Sequence, residues 1–448
     1  MASRRSLLPC LKLTGWVTLG AICLVVLSVE ACNETNKPSP DVLLTIIDQS
    51  WLDKPSQALL GEELNQFTKE TRIRVQVLPA PELAVDQLAT WRNLLESRAK
   101  VPDVYGIDVI WPGILADNLI DLKTYIPEQH IAAHFPELIQ NNTVNGRLVA
   151  LPYNLGEGLL FYRVDLLHKY GYAAPPKTWD VLENMAKRIQ AGERAKGNRD
   201  FWGYVWQGAP SEALTCNALE WQVSEGGGTI LDDKGRITVN NPGAIRAWEM
   251  AARWVGSISP PGVTAYGEGD AFNVWQAGKA AFMRNWPNAY VAAHDDSSPT
   301  RDEFDIAPLP AGRAGSASTL GGQGYGVSRY SLHPREAAML VGFLTGHDEQ
   351  TRRSYKSSNP PIIPGLYKDP EILTHNSYFS TILKTYRQGI VVRPSTVAGK
   401  KYPDVSRAYF EAVQAVISHR KSAREAAADL QQELRQMLEK TADSKKAE

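Results

Sequence analysis

Apolar positions along this chain alternate between two periods. Val42 to Ile47 reads V-L-L-T-I-I, a continuous apolar run of the kind found in strands buried on both faces. Behind it, Ser56 is a suitable helix cap, and Leu59, Leu60, Glu63, Leu64 and Phe67 recur at helical spacing. Arg72 to Leu78 then alternates as a second strand, Val85 to Ala99 returns to helix, and Val104 to Ile110 predicts a third strand. Gln49 lies just past the end of the first strand, and Asp108 lies near the end of the third, beside Trp111-Pro112. Successive strand–helix units predict a doubly wound α/β sheet, which presents ligand-binding side chains at the carboxyl ends of its strands.

A second α/β pattern begins further on. Leu148 to Gly171 holds two apolar strands flanking Pro152 to Gly158, a segment rich in backbone punctuation. It reads as a crossover between domains, with Tyr153, Asn154 and Glu157 facing the gap; an ordinary loop within one domain is the alternative. At the far end, Asp404 to Leu438 is strongly helical, with an interruption around His419 to Ser422. Residues 441–448 read as a disordered tail.

The stretch Gly267 to Asn288 joins pattern to chemistry. Asp270 is a good cap for a short helix carrying Phe272 and Trp275, Gly278 ends it, and Ala280 to Arg284 reads as a strand that Pro287 stops. Glu268 and Trp286 thereby stand at the two ends of a helix–strand unit. A carboxylate accepts hydrogen bonds from hydroxyls, and an indole offers a flat apolar face with one N–H donor. That pairing suits a neutral, hydroxyl-rich ligand such as a sugar. The alternative makes Trp286 a core residue and Glu268 a solvated cap.

Composition narrows the classes. At 448 residues the chain is long enough for two domains or more. Its net charge of −1 supplies no basic excess for nucleic acid. The N-terminus changes the picture more: Arg4, Arg5 and Lys12 precede an uncharged, mostly apolar run from Leu13 to Val29, short for a spanning helix. Val29-Glu30-Ala31-Cys32 follows and resembles a lipoprotein signal, although Glu30 stands where a small or hydroxyl residue is usual. The expectation is a signal over 1–31, lipidation of Cys32 and a polar tether over 32–41; an uncleaved signal anchor is the alternative. Removing Arg4, Arg5, Lys12 and Glu30 takes away +2 and leaves about −3 on the mature chain. Only Cys216 then remains, so no intrachain disulfide forms there. No H-E-x-x-H, C-x-x-C, P-loop or G-x-G-x-x-G pattern points to metal, phosphate or dinucleotide chemistry, and no cofactor is expected.

Leu151 to Leu167 resembles the hinge-crossing segment of family 1 extracellular solute-binding proteins, the capture subunits of sugar ABC importers. Pro176-Lys177-Thr178-Trp179 is similar to that family's helix start. Tyr204 to Gly208 and Glu212 to Asn217 resemble its trehalose/maltose-binding branch. Glu225 to Gly228, Trp275 to Ala281, Leu320-Gly321-Gly322 and Arg393-Pro394 continue the likeness through essentially the whole mature chain. The resemblance implies a two-lobed periplasmic-binding-protein fold with three inter-lobe crossings and a central cleft. These crossings are expected near Pro152, Trp286 and Val327, giving 42–151 plus 287–327 as lobe one and 152–286 plus 328–440 as lobe two. Ligand contacts would come from Gln49, Asp108, Tyr153, Asn154, Glu157, Glu268, Trp286, the Gly321-Gly322 backbone and Arg393, whose guanidinium is a rigid fork of donors. Two departures bear on specificity: relatives commonly carry an aspartate where this chain has Gly156, and often a tryptophan where it has Gln323. The implied role is capture of a neutral disaccharide by hinge closure, for delivery to the permease subunits of an ABC transporter, by a membrane-tethered monomer. A lipid-anchored glycoside hydrolase and a structural adhesin are the rival classes. Eight repeating βα units would be needed for a hydrolase barrel, and the order of elements after Gly171 does not supply them.

Overall fold

The computed structural model describes residues 42–48, 54–81, 84–295, 298–357 and 359–444. Gln49, Cys32 and the N-terminal signal lie outside the described residues. In chain order the opening elements are β1 (Leu43–Ile47), α1 (Lys54–Thr71), β2 (Arg74–Leu78), α2 (Ala84–Glu96) and β3 (Val104–Asp108). β1 pairs in parallel with both β2 and β3, the arrangement that right-handed βαβ connections produce. Helix α1 begins at Lys54, so Ser56 sits within its first turn rather than capping it.

β4 (Leu151–Glu157) continues almost directly into β5 (Leu159–Arg163), with only Gly158 between them. Their partners lie in different sheets. β4 pairs with a long strand, β9 (Ser318–Val327), which also pairs with β3. β5 belongs to a second sheet with β6 (Trp202–Val205), β7 (Ala280–Asn285) and β8 (Phe304–Pro308), in the order β8-β5-β7-β6. Two lobes follow, each with its own sheet. The second packs under α3 (Trp179–Ala195), α4 (Glu212–Ser224) and α5 (Pro242–Trp254). Thr178 caps α3, its hydroxyl accepting from the Val181 N–H at 3.3 Å.

The crossings differ in place from the sequence expectation. The first is at Gly158 rather than Pro152. The second falls between Pro308 and Ser318 rather than at Trp286, because β8 pairs along its whole length with β5 in the second sheet. The third falls after Lys356 rather than near Val327. The helix after β9, α7 (Pro334–Leu344), packs on β9, α1 and β4 and adds Ala337, Leu340 and Leu344 to the first-lobe core that holds Leu44, Ile46 and Phe67, and α8 (His347–Lys356) follows it and also meets α1. The chain returns through α9 (Phe379–Gly389) and the short β10 (Ile390–Val391), which pairs with Ser318 and Thr319. The last helices, α10 (Tyr402–Ile417) and α11 (Ala423–Ser444), join the core of the second lobe through Val405, Val413, Leu430 and Leu434. Helix thus continues to Ser444 where a disordered tail was expected from residue 441.

Gly158, Ser318-Thr319 and Ile390-Val391 come together beside these crossings. Ser318 Oγ donates to the Gly158 carbonyl at 2.6 Å. A buried ion pair, Arg284–Glu220, presses on the same point: a Cβ at Gly158 would lie 2.1 Å from Glu220 Oε1 and 2.6 Å from Arg284 Nη2. Glycine is required here for close approach. Gly158→Ala is expected to cost about 1–3 kcal/mol through overpacking. By contrast Gly61→Ala, in α1 with open space around its Cβ, is expected to gain about 0.5–1 kcal/mol from helix propensity. Urea denaturation of both variants checks the pair of signs.

Candidate ligand-binding site

The carboxyl end of the first sheet assembles a polar row. Gln323 of β9 is in register with Asp108 on one side and Asn154 on the other. Three polar residues from three adjacent strands therefore stand side by side where the sheet meets the hinge. Asn154 Oδ1 accepts from the Gln323 N–H at 2.8 Å, beside an irregularity in the β4–β9 pairing between Gln323 and Gly324. Asp108 Oδ1 accepts from the Ile110 N–H at 3.1 Å. Burial raises the Asp108 pKa, and the nearby positive charge of Arg393 opposes that rise.

Gly321 and Gly322 shape the floor. Gly322 has φ +112°, a conformation L side chains rarely adopt, and a Cβ there would lie 2.4 Å from the Asn154 carbonyl oxygen. A Cβ at Gly321 would lie 2.9 Å from Trp286 Cζ3. Gly321 thereby lets the six-membered ring edge of Trp286 approach the strand backbone.

Trp286 is partly buried at the end of β7. Its Nε1 donates to Glu268 Oε1 at 3.3 Å, and the Arg284 guanidinium lies 4.0 Å from the ring centre. Glu268 is exposed and opens α6 (Glu268–Gln276). Gly267, not Asp270, is that helix's cap: Asp270 sits at the third position and accepts from the Gly267 N–H at 2.8 Å. Glu268 and Trp286 thus meet, as the ends of the expected helix–strand unit.

Three other sequence candidates have different surroundings. Tyr153 is buried in the first lobe; its hydroxyl donates to Glu63 Oε2 at 2.6 Å and the Arg353 guanidinium lies 3.6 Å from its ring centre. Burial raises the Glu63 pKa against the pull of Arg353. Glu157 is fully buried, with neither carboxyl oxygen hydrogen-bonded. Tyr153 and Glu157 are both buried, and Glu63 takes the Tyr153 hydroxyl, so the expectation that all three face the gap is corrected; Glu157, three regularly paired residues beyond Asn154, points to the opposite face. Arg393 is 6% exposed, with Nη1 donating to Glu212 Oε1 at 2.8 Å and Nη2 to the Leu320 carbonyl at 3.0 Å. Glu212 in turn accepts from the hydroxyls of Tyr402 and Ser406. Both terminal nitrogens of Arg393 are engaged by protein, while its buried Nε has no hydrogen-bond partner among the described residues; the arginine thereby braces the Gly321-Gly322 strand.

Sequence reasoning passed over Arg284 and Glu212 as site residues and noted Gln323 only as a missing tryptophan. For Arg284 a signal existed. It is two residues from Trp286, and the period of a strand puts both on one face.

The chain's sequence matches the bacterial extracellular solute-binding protein profile over residues 50–351. It belongs to that family. Among relatives of this binding protein, a probable ABC transporter-binding protein of Deinococcus radiodurans is 48% identical over 358 residues, covering 80% of this chain and 84% of that one. Among solved structures, maltose-bound MalE3 of T. maritima is similar with a TM-score of 0.79 and 32% identity, covering 88% of this chain and 100% of that one. The GacH receptor of Streptomyces glaucescens shares the two-lobed fold at 22% identity, with a TM-score of 0.76 and coverage of 89% and 98%.

Glu157 generates a pH prediction. Burial raises its pKa well above the ordinary carboxylate value, so the folded state keeps its proton at pH values where the unfolded chain loses it. Its contribution to stability is full below the unfolded pKa and is lost as pH rises toward the folded one. Glu157→Gln removes that loss, and the variant should gain on the wild type by about 1.4 kcal/mol per pH unit above the ordinary carboxylate range. Urea melts of both proteins between about pH 5 and pH 8 measure the slope.

Proposed function

We propose that this solute-binding protein captures a neutral disaccharide, of the maltose or trehalose type, and hands it unaltered to the permease subunits of an ABC importer. The observation that carries the reading is Trp286, partly exposed, with its ring edge beside Gly321, within reach of Glu268 and near the Asp108–Gln323–Asn154 row. A sugar ring has C–H groups on one face and hydroxyls around its rim, and it suits one aromatic plane with a border of polar partners. The likeness to a maltose-bound protein at 32% identity supports the same ligand class. Binding by hinge closure about the three crossing strands accounts for the two-lobed plan. The family match lends no support to a glycoside hydrolase. Gln323, where relatives often carry tryptophan, favours a hydrogen-bonded rather than a stacked contact at that corner.

Trp286→Ala should weaken maltose or trehalose binding by about 2–4 kcal/mol. The partly buried ring contributes to the cleft rather than to a core, so the melting temperature without sugar should hold. Calorimetric titration and thermal melts test both halves, and a collapsed apo melting temperature would mean that Trp286 serves the core. Arg393→Ala is expected to lower the apo melting temperature as well as binding, because it leaves Glu212 without its charge partner.

Export with lipidation at Cys32 is part of the same proposal, resting on the order of charged, apolar and cysteine residues over 1–32. Cys32→Ala should abolish signal processing and release the protein from lipid modification, read by metabolic labelling with a fatty acid. Unchanged processing and membrane association would favour an uncleaved anchor.

A further inference from the structure

Arg284 and Glu220 meet where the first two passages between the lobes come together. Both are without solvent contact, Arg284 at 0% and Glu220 at 1% side-chain exposure. Arg284 Nε donates to Glu220 Oε2 at 3.0 Å and Nη2 to Oε1 at 2.5 Å, a bidentate fork. Glu220 Oε1 also accepts the N–H of Thr319, on the strand that carries Gly321 and Gln323 into the first lobe. Gln207 Nε2 donates to the Arg284 carbonyl at 2.8 Å, which fixes the backbone two residues before Trp286.

The guanidinium has a second duty. Its central carbon lies 4.0 Å from the centre of the Trp286 ring. A cation held over the indole restrains the orientation of that ring, and the ring stays partly exposed. The same atom group abuts Gly158 at the β4–β5 junction. One buried pair therefore links the indole, the first crossing at Gly158 and the strand entered by the second crossing at Thr319.

We propose that the buried Arg284–Glu220 pair is a positioning element that sets the Trp286 platform and couples it to the two hinge strands, so that sugar contact at the indole and lobe closure are one event. It rests on the reading of Trp286 as the sugar platform. A buried ion pair is not needed for this as a source of stability: matched apolar replacements of such pairs are often neutral, whereas removing one partner strands a charge. What an apolar replacement lacks is the planar, directional stack.

The test uses the full mature protein, the variants Arg284→Lys and Arg284→Met with Glu220→Leu together, and maltose as probe. Without sugar, 5-fluorotryptophan labelling gives a fluorine resonance for Trp286, assigned by its loss in Trp286→Phe. That resonance should shift and broaden in the double replacement while the other tryptophans hold. An unmoved Trp286 resonance overturns the proposal whatever the ligand proves to be. With maltose, the double replacement should lose at least tenfold in affinity, and the loss should vanish when both proteins also carry Trp286→Ala. A loss that persists undiminished in that background assigns the pair a general structural role and overturns the coupling. If the double replacement does not fold, Arg284→Lys, which keeps the charge and lacks the planar stack, carries the same two readouts with the same expected signs. Maltose and trehalose both failing to bind the wild type would instead refute the functional reading, and the fluorine arm would still judge the positioning.

Discussion

A guanidinium and a carboxylate buried together must satisfy each other, because neither has water to turn to. In this binding protein that requirement is met where the chain passes between its lobes. Arg284 comes from the central strand β7, Glu220 from helix α4, and the carboxylate's spare capacity holds Thr319 of β9. The pair fixes how closely the lobes' connecting strands approach. It also explains why Gly158 stands where it does, since any side chain there would enter the space of both charged groups. Gly158, Thr319 and Trp286 all meet at this one contact.

The first lobe brings the complementary half. Parallel strands β1, β2 and β3 end on one side, and antiparallel β9 and β4 continue the row, so Asp108, Gln323 and Asn154 come into register without any loop having to place them. Sites built on strands are held more precisely than sites on loops. Arg393 reaches this row from the third passage and clamps the Leu320 carbonyl while paired with Glu212. Each lobe thus contributes one rigid wall, and the hinge strands carry the residues that would meet the ligand.

Much of this was legible in the chain. The switching of apolar period gave the β1–α1–β2–α2–β3 order because buried parallel strands are continuous apolar runs and amphipathic helices are not. Glu268 and Trp286 were identifiable because caps and strand ends announce themselves through Gly278 and Pro287. The crossings were less legible. Trp286 and Val327 look like boundaries in sequence, yet β8 is held by pairing with β5 and α7 by packing on β4 and α1 of the first lobe, long-range contacts that no local pattern encodes. The punctuated Pro152–Gly158 crossover suggests Tyr153 and Glu157 as cleft residues, yet both are buried, and Glu63, distant in sequence, takes the Tyr153 hydroxyl. Arg393 looked like a free fork because its partner Glu212 lies far away in sequence.

The account stands on two lobes closing over a sugar about the Gly158 hinge without altering it. Small-angle X-ray scattering of the mature protein, with and without saturating maltose, tests that claim most directly. The predicted result is a smaller radius of gyration with sugar, reversed when the sugar is dialysed away intact. Calorimetrically verified binding with an unchanged radius, or recovery of glucose in place of maltose, would contradict it.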